Sequence, residues 1–382
     1  MTHIIQFTTV HPRTDVRIRI KEVASLHRHL DARVDLFVQD GLGDEIDATH
    51  GFAITDTGAR PKGRLARMTK GAWRMFRAVR QAGPDVAHFH DPELIPVGLL
   101  LRLSGIKVIY DVHEDLPRQV LNKVYLRPWL RGGISKSVAA IEWVAGRAFN
   151  GVSAAVPSIA ARFPRDKTIL VRNFPAPEDI TAPMVRPYAD RPAHFTYIGG
   201  LTEVRGTLQM VAAMDLVPDS SARLQLAGKF QQQSHRAAAE ATPGWAYVDD
   251  HGWLDRIGIA DLLSNARAGM VVLHPTPSHV DSLPVKFFEY MAAGLPVISS
   301  DFPMLCEIIE KTGCGLIADP MDPASIAKAM TLILSDPQSA AEMGARGKEA
   351  VAQHYNWHAE ARTLIAFYHD RLGIPLRAQP TA

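Results

Sequence analysis

The sequence has few cysteines, no long hydrophobic run and no zinc or redox spacing of its cysteines. Its two cysteines, Cys306 and Cys314, stand in 382 residues, and so small a number indicates a reducing compartment. The longest apolar stretches, such as residues 94–101, are far shorter than the roughly 20 residues that span a bilayer. Residues 1–4 begin no recognisable signal peptide. We therefore expect a cytoplasmic protein without a membrane-spanning helix.

The charge is unevenly distributed, although the net charge is only +2. Residues 1–170 carry 25 Lys and Arg against 17 Asp and Glu, whereas residues 171–382 carry 17 against 23. A basic N-terminal half is expected to meet an anionic partner.

Two segments of this half, residues 57–84 and 116–141, contain no acidic residue. On a helical projection of the first, Leu65, Met68, Ala72, Met75, Phe76 and Val79 form an apolar side. We expect reversible association with an anionic membrane surface, with an ordinary solvated helix as the alternative. The basic residues opposite this apolar side are Arg64, Arg67, Lys70, Arg74, Arg77 and Arg80, and those of the second segment are Arg118, Lys123, Arg127, Arg131 and Lys136.

Short β-branched runs alternate with helical stretches along both halves of the chain. This alternation predicts an α/β protein with two Rossmann-like domains, each built on a parallel sheet. Ligands of such sheets lie beyond the carboxyl ends of the strands, so we expect the two domains to face each other across a cleft. Strands are predicted at residues 3–10, 33–39, 85–90, 107–111, 194–199, 223–227, 246–248, 269–273, 296–299 and 315–318, and helices at 16–30, 64–81 and 93–103.

Prolines mark a linker between the halves, at residues 173–192. The predicted N-terminal domain covers residues 1–172 and the C-terminal domain covers residues 193–355. We expect a final helix and tail, residues 356–382, to return to the N-terminal domain. The prolines of the linker are Pro175, Pro177, Pro183, Pro187 and Pro192.

The segment that starts at Asp281 combines a helix start with two carboxylates. Asp281 and Ser282 are N-cap residue types, and Pro284 suits a first helical turn. Free amides at a helix start, together with Lys286, suit a phosphate. A carboxylate further along the helix, Glu289, can accept hydrogen bonds from sugar or ribose hydroxyls. The alternative is a capped surface helix with a solvated carboxylate.

A glycine turn follows the predicted strand at residues 194–199. Gly199 and Gly200 permit close backbone approach to a ligand, and Arg205 can form bidentate bonds to a phosphate. An amphipathic helix at residues 208–214 follows. The alternative for Arg205 is a solvated cation in a turn.

Both elements resemble the family-4 retaining glycosyltransferases, which have the two-domain architecture called GT-B. The acidic-x7-Glu signature of that family matches Asp281 and Glu289, with Asp in place of the usual Glu. Its Gly-Arg-Leu-x-x-x-Lys-Gly element matches residues 199–206, with Gly200 in place of the Arg and Arg205 in place of the Lys. The resemblance implies that Asp281 faces the donor sugar and that Glu289 binds the ribose. The implied donor-binding residues are Gly199, Gly200, Arg205, Ser282, Leu283, Pro284, Val285, Lys286 and Glu289.

Histidines and carboxylates stand at two predicted strand ends, residues 88–93 and 110–115. By the same resemblance, His113 matches a cleft histidine near the donor sugar and the acceptor. A metal site is the alternative, because these are metal-ligand types, but the spacing is not that of a metallohydrolase and the family needs no metal. The expected catalytic residues are His113, Asp281, Arg205 and Lys286, and the expected acceptor-side residues are Asp15, Arg17, His90 and Glu114.

The resemblance implies transfer of a hexosyl or related sugar from a UDP- or GDP-sugar to a hydroxyl, with retention and without a metal or other cofactor. We expect a saccharide or lipid-linked acceptor, a role in bacterial surface polysaccharide or lipopolysaccharide assembly, and a peripheral position on the inner face of the cell membrane. A GT-B-fold nucleotide-sugar epimerase is one alternative. A Rossmann oxidoreductase is less favoured, because Gly41 and Gly43 are followed by Ile46 and not by a third glycine. Nucleic-acid binding is not expected, because the C-terminal half is acidic.

Overall fold

The computed structural model describes residues 1–121, 127–176 and 186–378, which form two compact units. The first unit contains Met1–Asn173 and the C-terminal segment from Trp357, and the second contains Phe174–Asn356. Lys123, Pro177 and Pro183, which the sequence singles out, lie outside the described residues.

The first unit is built on an eight-stranded sheet. Its strands are, in chain order, β1 (Thr2–Phe7), β2 (Ala32–Val38), β3 (Glu45–Ile46), β4 (Ala53–Asp56), β5 (Val86–Phe89), β6 (Lys107–Val112), β7 (Gly151–Ala154) and β8 (Thr168–Leu170). They lie in the order β3-β4-β2-β1-β5-β6-β7-β8, and all neighbours are parallel except β3 and β4. The order reverses between β1 and β5, so the carboxyl ends of these strands are where a ligand is expected.

Helices connect these strands and cover the sheet. π-Helical segments lie at Val16–Val23 and Arg67–Gly71, and 3-10 turns lie at Pro92–Leu94 and Arg165–Lys167. The α-helices are α1 (Ala24–His29), α2 (Arg64–Ala66), α3 (Ala72–Ala82), α4 (Ile95–Leu103), α5 (Leu116–Leu121), α6 (Pro128–Ala148) and α7 (Pro157–Ala160).

The second unit is built on a six-stranded parallel sheet. Its strands are β9 (His194–Ile198), β10 (Arg223–Ala227), β11 (Val248–Gly252), β12 (Ala268–Val271), β13 (Val297–Ser300) and β14 (Gly315–Ala318). They lie in the order β11-β10-β9-β12-β13-β14, which reverses between β9 and β12. Its helices are α8 (Thr207–Met214), α9 (Gln233–Glu240), α10 (Arg256–Ser264), α11 (Val285–Ala292), α12 (Pro303–Thr312), α13 (Pro323–Ser335) and α14 (Pro337–Gln353), and the chain then re-enters the first unit with α15 (Trp357–Ala366) and a π-helical turn at Phe367–Arg371.

Strand alternation explains why both faces of the second sheet are covered. Along β12, Ala268 and Met270 pack into one core, whereas Val271 packs into the other, because successive side chains of a strand point to opposite faces. A fully buried methionine or valine of this kind contributes about 1.5 to 3 kcal/mol of hydrophobic stabilisation. Two covered faces are the expected arrangement for a parallel sheet.

The predicted strands other than that at residues 246–248 are confirmed, with shifts of a few residues at their ends, and the α/β architecture with two Rossmann-like sheets is confirmed with them. The strand predicted at residues 246–248 is wrong in position, because a 3-10 turn covers Pro243–Tyr247 and β11 begins only at Val248. The prediction missed β3, β4, β7 and β8. These strands have two to four residues each, which is too short for an alternating pattern to stand out.

The basic segment 57–84 is helical but changes phase in its middle. Its π-helical turn, Arg67–Gly71, has more residues per turn than an α-helix. Met75 of α3 is therefore buried, whereas Leu65 and Met68, which precede or lie within the turn, are 76% and 45% exposed. The single apolar side predicted for this segment is wrong for these two residues.

Every helix that the structure describes is too short or too polar to span a bilayer.

Candidate functional site

A glycine turn at the carboxyl end of β9 brings two cations together. Gly199 has a φ of +133°, and a Cβ there would lie 2.4 Å from Cε of Lys286. A Cβ on Gly200 would lie 3.1 Å from Nη1 of Arg205. Arg205 Nη1 donates to the Gly200 carbonyl at 3.4 Å. The two glycines therefore allow both cationic side chains to lie directly against the backbone.

The turn that carries Arg205 is fixed from two strands. Gly206 has a φ of +66°, and a Cβ there would lie 2.1 Å from the carbonyl oxygen of Val272, just after β12. The Tyr197 hydroxyl of β9 donates to the Gly200 carbonyl at 3.2 Å. Arg205 is thus held at the point where the strand order reverses.

Helix α11 brings Lys286 to the same place. The Ile198 amide at the end of β9 donates to the Tyr290 hydroxyl at 3.0 Å, which ties the helix to the strand. Burial lowers the pKa of Lys286, the charge of Arg205 lowers it further, and Glu289 acts in the opposite direction. Two cations and a carboxylate therefore cluster beside the start of a helix whose first amides have no partner within the helix.

The start of α11 differs from the prediction. Pro284, not Asp281 or Ser282, is the N-cap residue, and no side chain caps the helix. The reason is a turn in the preceding loop, where the Ser282 amide and hydroxyl both donate to the His279 carbonyl, at 2.9 and 2.8 Å. Asp281 lies in this loop, and the predicted donor-binding residues Ser282 to Val285 are half-buried at the helix start.

His279 is a site residue that sequence reasoning missed. It lies close enough to Arg205 for the arginine charge to lower its pKa, after the larger effect of burial. Its Nδ1 lies 3.2 Å from the His274 carbonyl oxygen. Its position two residues before Asp281 is the only feature of the sequence that could have indicated it.

The strand ends of the first unit hold a buried ion pair. Arg17 Nη2 donates to Asp111 Oδ1 at 3.0 Å and to the Val171 carbonyl at 3.1 Å. Burial alone would raise the pKa of Asp111, but Arg17 and the neighbouring His113 outweigh it and lower that pKa well below its usual value. Arg17, predicted on the acceptor side, is therefore buried and bound to a carboxylate.

Asp111 also contacts two histidines. Its Oδ2 lies 3.2 Å from Nδ1 of His90 and 2.5 Å from Nε2 of His113. Burial lowers the pKa of both histidines, to about 4 for His90, despite the opposing effect of Asp111. His90 is fully buried, whereas the His113 side chain keeps 14% of its surface. The structure thus brings three predicted residues, Arg17, His90 and His113, to Asp111, a carboxylate that was not among the expected catalytic or acceptor-side residues.

Asp15 shapes the loop beside this cluster. It accepts a hydrogen bond from the Ile18 amide at 3.0 Å and lies 3.0 Å from Nδ1 of His11. Burial would raise the pKa of Asp15, but these bonds lower it to about 2. His11 packs edge-on against His113, with ring centroids 5.4 Å apart. Asp15 is therefore linked to the cluster through His11.

Glu114 is exposed and accepts from Gln119 at 2.5 Å. The adjacent Asp115 accepts from the Arg118 amide at 3.1 Å and from Arg162 at 2.6 Å. Asp115 thus caps a helix, and Glu114 is the carboxylate of this pair that solvent or a ligand can reach.

Four buried side chains near Arg17 could in principle hold a metal ion, namely Glu22, His88, His90 and Asp111. The guanidinium of Arg17 already lies at both carboxylates, 3.0 Å from Glu22 Oε1 and 3.0 Å from Asp111 Oδ1. Burial and the charge of Asp111 raise the pKa of Glu22 well above its usual value. The arginine therefore occupies the electrostatic position that a cation would need.

Comparison with known families assigns the chain to a class. The model of the "Glycosyl transferases group 1" family matches residues 185–350, and that of the "Glycosyl transferase 4-like domain" matches residues 16–163. The two matches cover most of both units. The protein is a glycosyltransferase of the GT-B type, and it belongs to the family-4-like glycosyltransferases.

Individual proteins agree with this assignment. Glycogen synthase of Mycobacterium tuberculosis is 24% identical over 310 residues, which are 75% of this chain and 68% of that protein. Sucrose-phosphate synthase from Thermosynechococcus elongatus matches with a TM-score of 0.76 and 20% identity, over 98% of this chain and 100% of that one. HepE of Anabaena, solved with UDP and glucose, matches with a TM-score of 0.71 and 12% identity, over 97% and 100%. These similarities confirm the predicted fold, and the two family models confirm the predicted family.

Proposed function

We propose that the protein transfers a sugar from a UDP- or GDP-sugar to an acceptor hydroxyl, with retention at the anomeric carbon. The observation that carries this proposal is the meeting of Arg205 and Lys286 over Gly199 and Gly200, beside the start of α11. Two cations at a helix start, where backbone also approaches closely, suit a diphosphate.

The chemistry follows from the charge that develops on the donor. As the bond between the anomeric carbon and the diphosphate breaks, negative charge grows on the departing oxygens, and Arg205, Lys286 and the first amides of α11 stabilise it. Glu289 accepts hydrogen bonds from the ribose hydroxyls, and Asp281 contacts the donor sugar. We propose that His113 serves the acceptor side, where burial lowers its pKa and so favours the neutral imidazole.

We propose that this reaction needs no metal ion. The two cations of the second unit supply the positive charge that a divalent ion supplies in other transferases. In the first unit, the carboxylates of Glu22 and Asp111 are already paired with Arg17.

Calorimetric titration with UDP, GDP, ADP and CMP tests the proposed donor site. It also shows which nucleotide base the donor carries. We expect one nucleoside diphosphate to bind, and binding to weaken at least about tenfold in Arg205→Ala and in Lys286→Ala, as expected for a charge-assisted bond. Glu289→Ala should weaken the binding of the nucleoside diphosphate but not the binding of inorganic pyrophosphate, which has no ribose. Equal affinity of parent and variants for every nucleotide would refute the donor site.

Turnover that requires an acceptor separates transfer from epimerisation. A transferase releases nucleoside diphosphate in proportion to glycosylated acceptor. An epimerase would instead convert or hydrolyse the nucleotide sugar at the same rate with and without an acceptor.

We further propose a lipid-linked or saccharide acceptor and a role in bacterial surface polysaccharide or lipopolysaccharide assembly, at the inner face of the cell membrane. Support comes from the exposed cations Lys70, Arg77 and Arg80 near the exposed Trp73. Arg67 does not belong to this free basic surface, because it is bonded to Glu93 at 2.7 Å, and Arg74 donates to the carbonyls of Thr57 and Ala59.

Co-sedimentation with phosphatidylglycerol vesicles tests this surface. Each basic residue near an anionic membrane contributes about 1 kcal/mol, within a Debye length of about 8 Å at physiological salt. We expect binding at low salt, release at about 0.5 M salt, and loss in Lys70→Glu/Arg77→Glu. The control Lys328→Glu/Lys348→Glu reverses two exposed charges of the second unit and should sediment like the parent. If the first variant also does so, a soluble acceptor is indicated.

A further inference from the structure

A basic pocket lies at the amino end of the first unit's sheet. Lys107 is the first residue of β6, Asn150 directly precedes β7, and Lys167 directly precedes β8. The pocket has a volume of about 620 Å³. Its charged lining residues are Arg102, Lys107, Arg147, Lys167, Asp370 and Arg371.

This pocket is distinct from the histidine cluster of the same unit. Lys107 begins β6, and His113 directly follows the end of that strand. At about 3.3 Å per residue, the six intervening steps separate the two residues by about 20 Å. The lining residues belong to the first unit, whereas Arg205 and Lys286 belong to the second.

Backbone carbonyls at the end of α6 orient two of the cations. Arg102 Nε donates to the Ala148 carbonyl at 3.3 Å. Lys167 Nζ donates to the carbonyls of Arg147 and Phe149, at 2.5 and 3.0 Å. These side chains are therefore held at the pocket wall in defined positions.

The C-terminal segment supplies the opposite wall. Lys107 Nζ donates to the Leu372 carbonyl at 2.8 Å. Arg371 Nε donates to the Asn150 carbonyl at 3.3 Å, and its Nη2 lies 3.6 Å from Asp166. One wall of the pocket is thus formed by a segment more than 200 residues away in sequence from Lys107 and Asn150.

Capping of α6 does not account for so much positive charge. The end of a helix carries only about half a negative charge. Five cations line the pocket, and the carboxylates beside them are Asp370 and Asp166. Because an arginine has five N–H donors and a lysine ammonium three, the bonds described above leave donors on Arg102 and Lys107 for a ligand.

We propose that this pocket is a second anion site, which binds a phosphate-bearing ligand through Arg102, Lys107, Arg147, Lys167 and Arg371. Guanidinium forks and ammonium groups are the donors that proteins use for phosphate. The proposal does not depend on glycosyl transfer, because it concerns a different set of residues.

Calorimetry with inorganic pyrophosphate tests the site on the Arg205→Ala/Lys286→Ala background, so that the donor site does not contribute. We expect the background variant to bind pyrophosphate at one site. When Arg102→Gln/Arg371→Gln is added, the affinity should fall at least about tenfold for each charged bond that is lost. The control Lys328→Gln/Lys348→Gln removes two exposed charges elsewhere and should leave binding unchanged. No binding on the background, or equal binding with and without Arg102→Gln/Arg371→Gln, would overturn the proposal.

Glutamine retains an amide donor for the carbonyls at the end of α6, so the fold should survive the loss of charge. If Arg102→Gln/Arg371→Gln lowers the melting temperature by more than a few degrees, Arg147→Gln replaces it. Arg147 packs over the Trp143 ring, with 3.6 Å between the guanidinium carbon and the ring centroid. Weaker pyrophosphate binding in Arg147→Gln supports the site, and unchanged binding contradicts it.

Vesicles identify the source of the phosphate. Phosphatidic acid presents a phosphomonoester, and phosphatidylglycerol presents a diester at matched surface charge. If the parent binds phosphatidic acid vesicles better than phosphatidylglycerol vesicles, and Arg102→Gln/Arg371→Gln abolishes this preference, the ligand of the site is a lipid headgroup. Pyrophosphate binding without such a preference would assign it to a soluble phosphorylated ligand.

Discussion

The two units use charge differently at the carboxyl ends of their sheets. In the second unit, Arg205 and Lys286 lie against glycine backbone, and burial, together with the nearby charge of Arg205, lowers the pKa of Lys286. In the first unit, Arg17 and Asp111 are buried and bonded to each other. The first arrangement leaves positive charge to be balanced by a ligand, whereas the second is balanced before any ligand arrives.

Among the proposed variants, Arg17→Ala should cause the largest loss of stability. Removing one partner of a buried ion pair leaves the other charge uncompensated and costs about 3 to 5 kcal/mol. We expect the free energy of unfolding in urea to fall by that amount. The exposed Arg362 of the same unit provides a control, and Arg362→Ala should change it by less than about 0.5 kcal/mol. Similar losses in both variants would mean that the pair is not a structural unit.

The difference also explains what the sequence could predict. The donor-side residues Gly199 to Arg205 and Asp281 to Glu289 stand in two short contiguous segments, so local pattern and family resemblance indicated them. The partner of Arg17 is Asp111, 94 positions away, and no local pattern connects them. His113 was indicated by its place after β6, but its contact with His90 arises only once β6 is folded beside β5.

Local sequence also failed where backbone geometry departs from the usual helix. The caps predicted at Asp281 and Ser282 were wrong because Ser282 bonds to the His279 carbonyl instead. The apolar side predicted from Leu65 was wrong because a π-helical turn shifts the phase of the following helix. A periodic projection assumes a constant number of residues per turn, and this segment does not keep it.

Arg205→Ala and Lys286→Ala should affect catalysis without the loss of stability expected for Arg17→Ala. Each should cost about 2 to 4 kcal/mol of transition-state stabilisation, if the departing diphosphate is their partner. We expect a corresponding fall in kcat/KM, measured with the nucleotide sugar that calorimetry selects, and an unfolding transition close to that of the parent. Lys328→Ala, an exposed lysine of the same unit, is the control. If kcat/KM falls only because the variant unfolds, Arg205 and Lys286 stabilise the fold as Arg17 does, and the proposed difference between the units is wrong.

The buried histidines of the first unit predict a pH dependence of stability. Burial lowers the pKa of His90 to about 4, against about 6.5 in an unfolded chain. Between these values the unfolded state binds more protons, so stability is complete above about pH 6.5 and is lost as the pH falls toward 4, by about 3 kcal/mol. Urea unfolding between pH 7 and pH 4.5 should therefore show a steeper loss in the parent than in His90→Gln. Equal slopes would indicate that His90 can be protonated in the folded state.

The smallest expected effect is that of metal removal. Glu22, His88, His90 and Asp111 offer ligand atoms within 4.8 Å of one another, but Arg17 stands at both carboxylates and supplies the compensating charge. We therefore expect kcat/KM to be unchanged after dialysis against EDTA and after addition of magnesium or manganese. If EDTA stops the reaction and one of these ions restores it, the first unit is a metal site as well as an ion-pair network. Arg17→Met would then discriminate further, because removal of the competing cation should tighten the binding of that ion to the cluster.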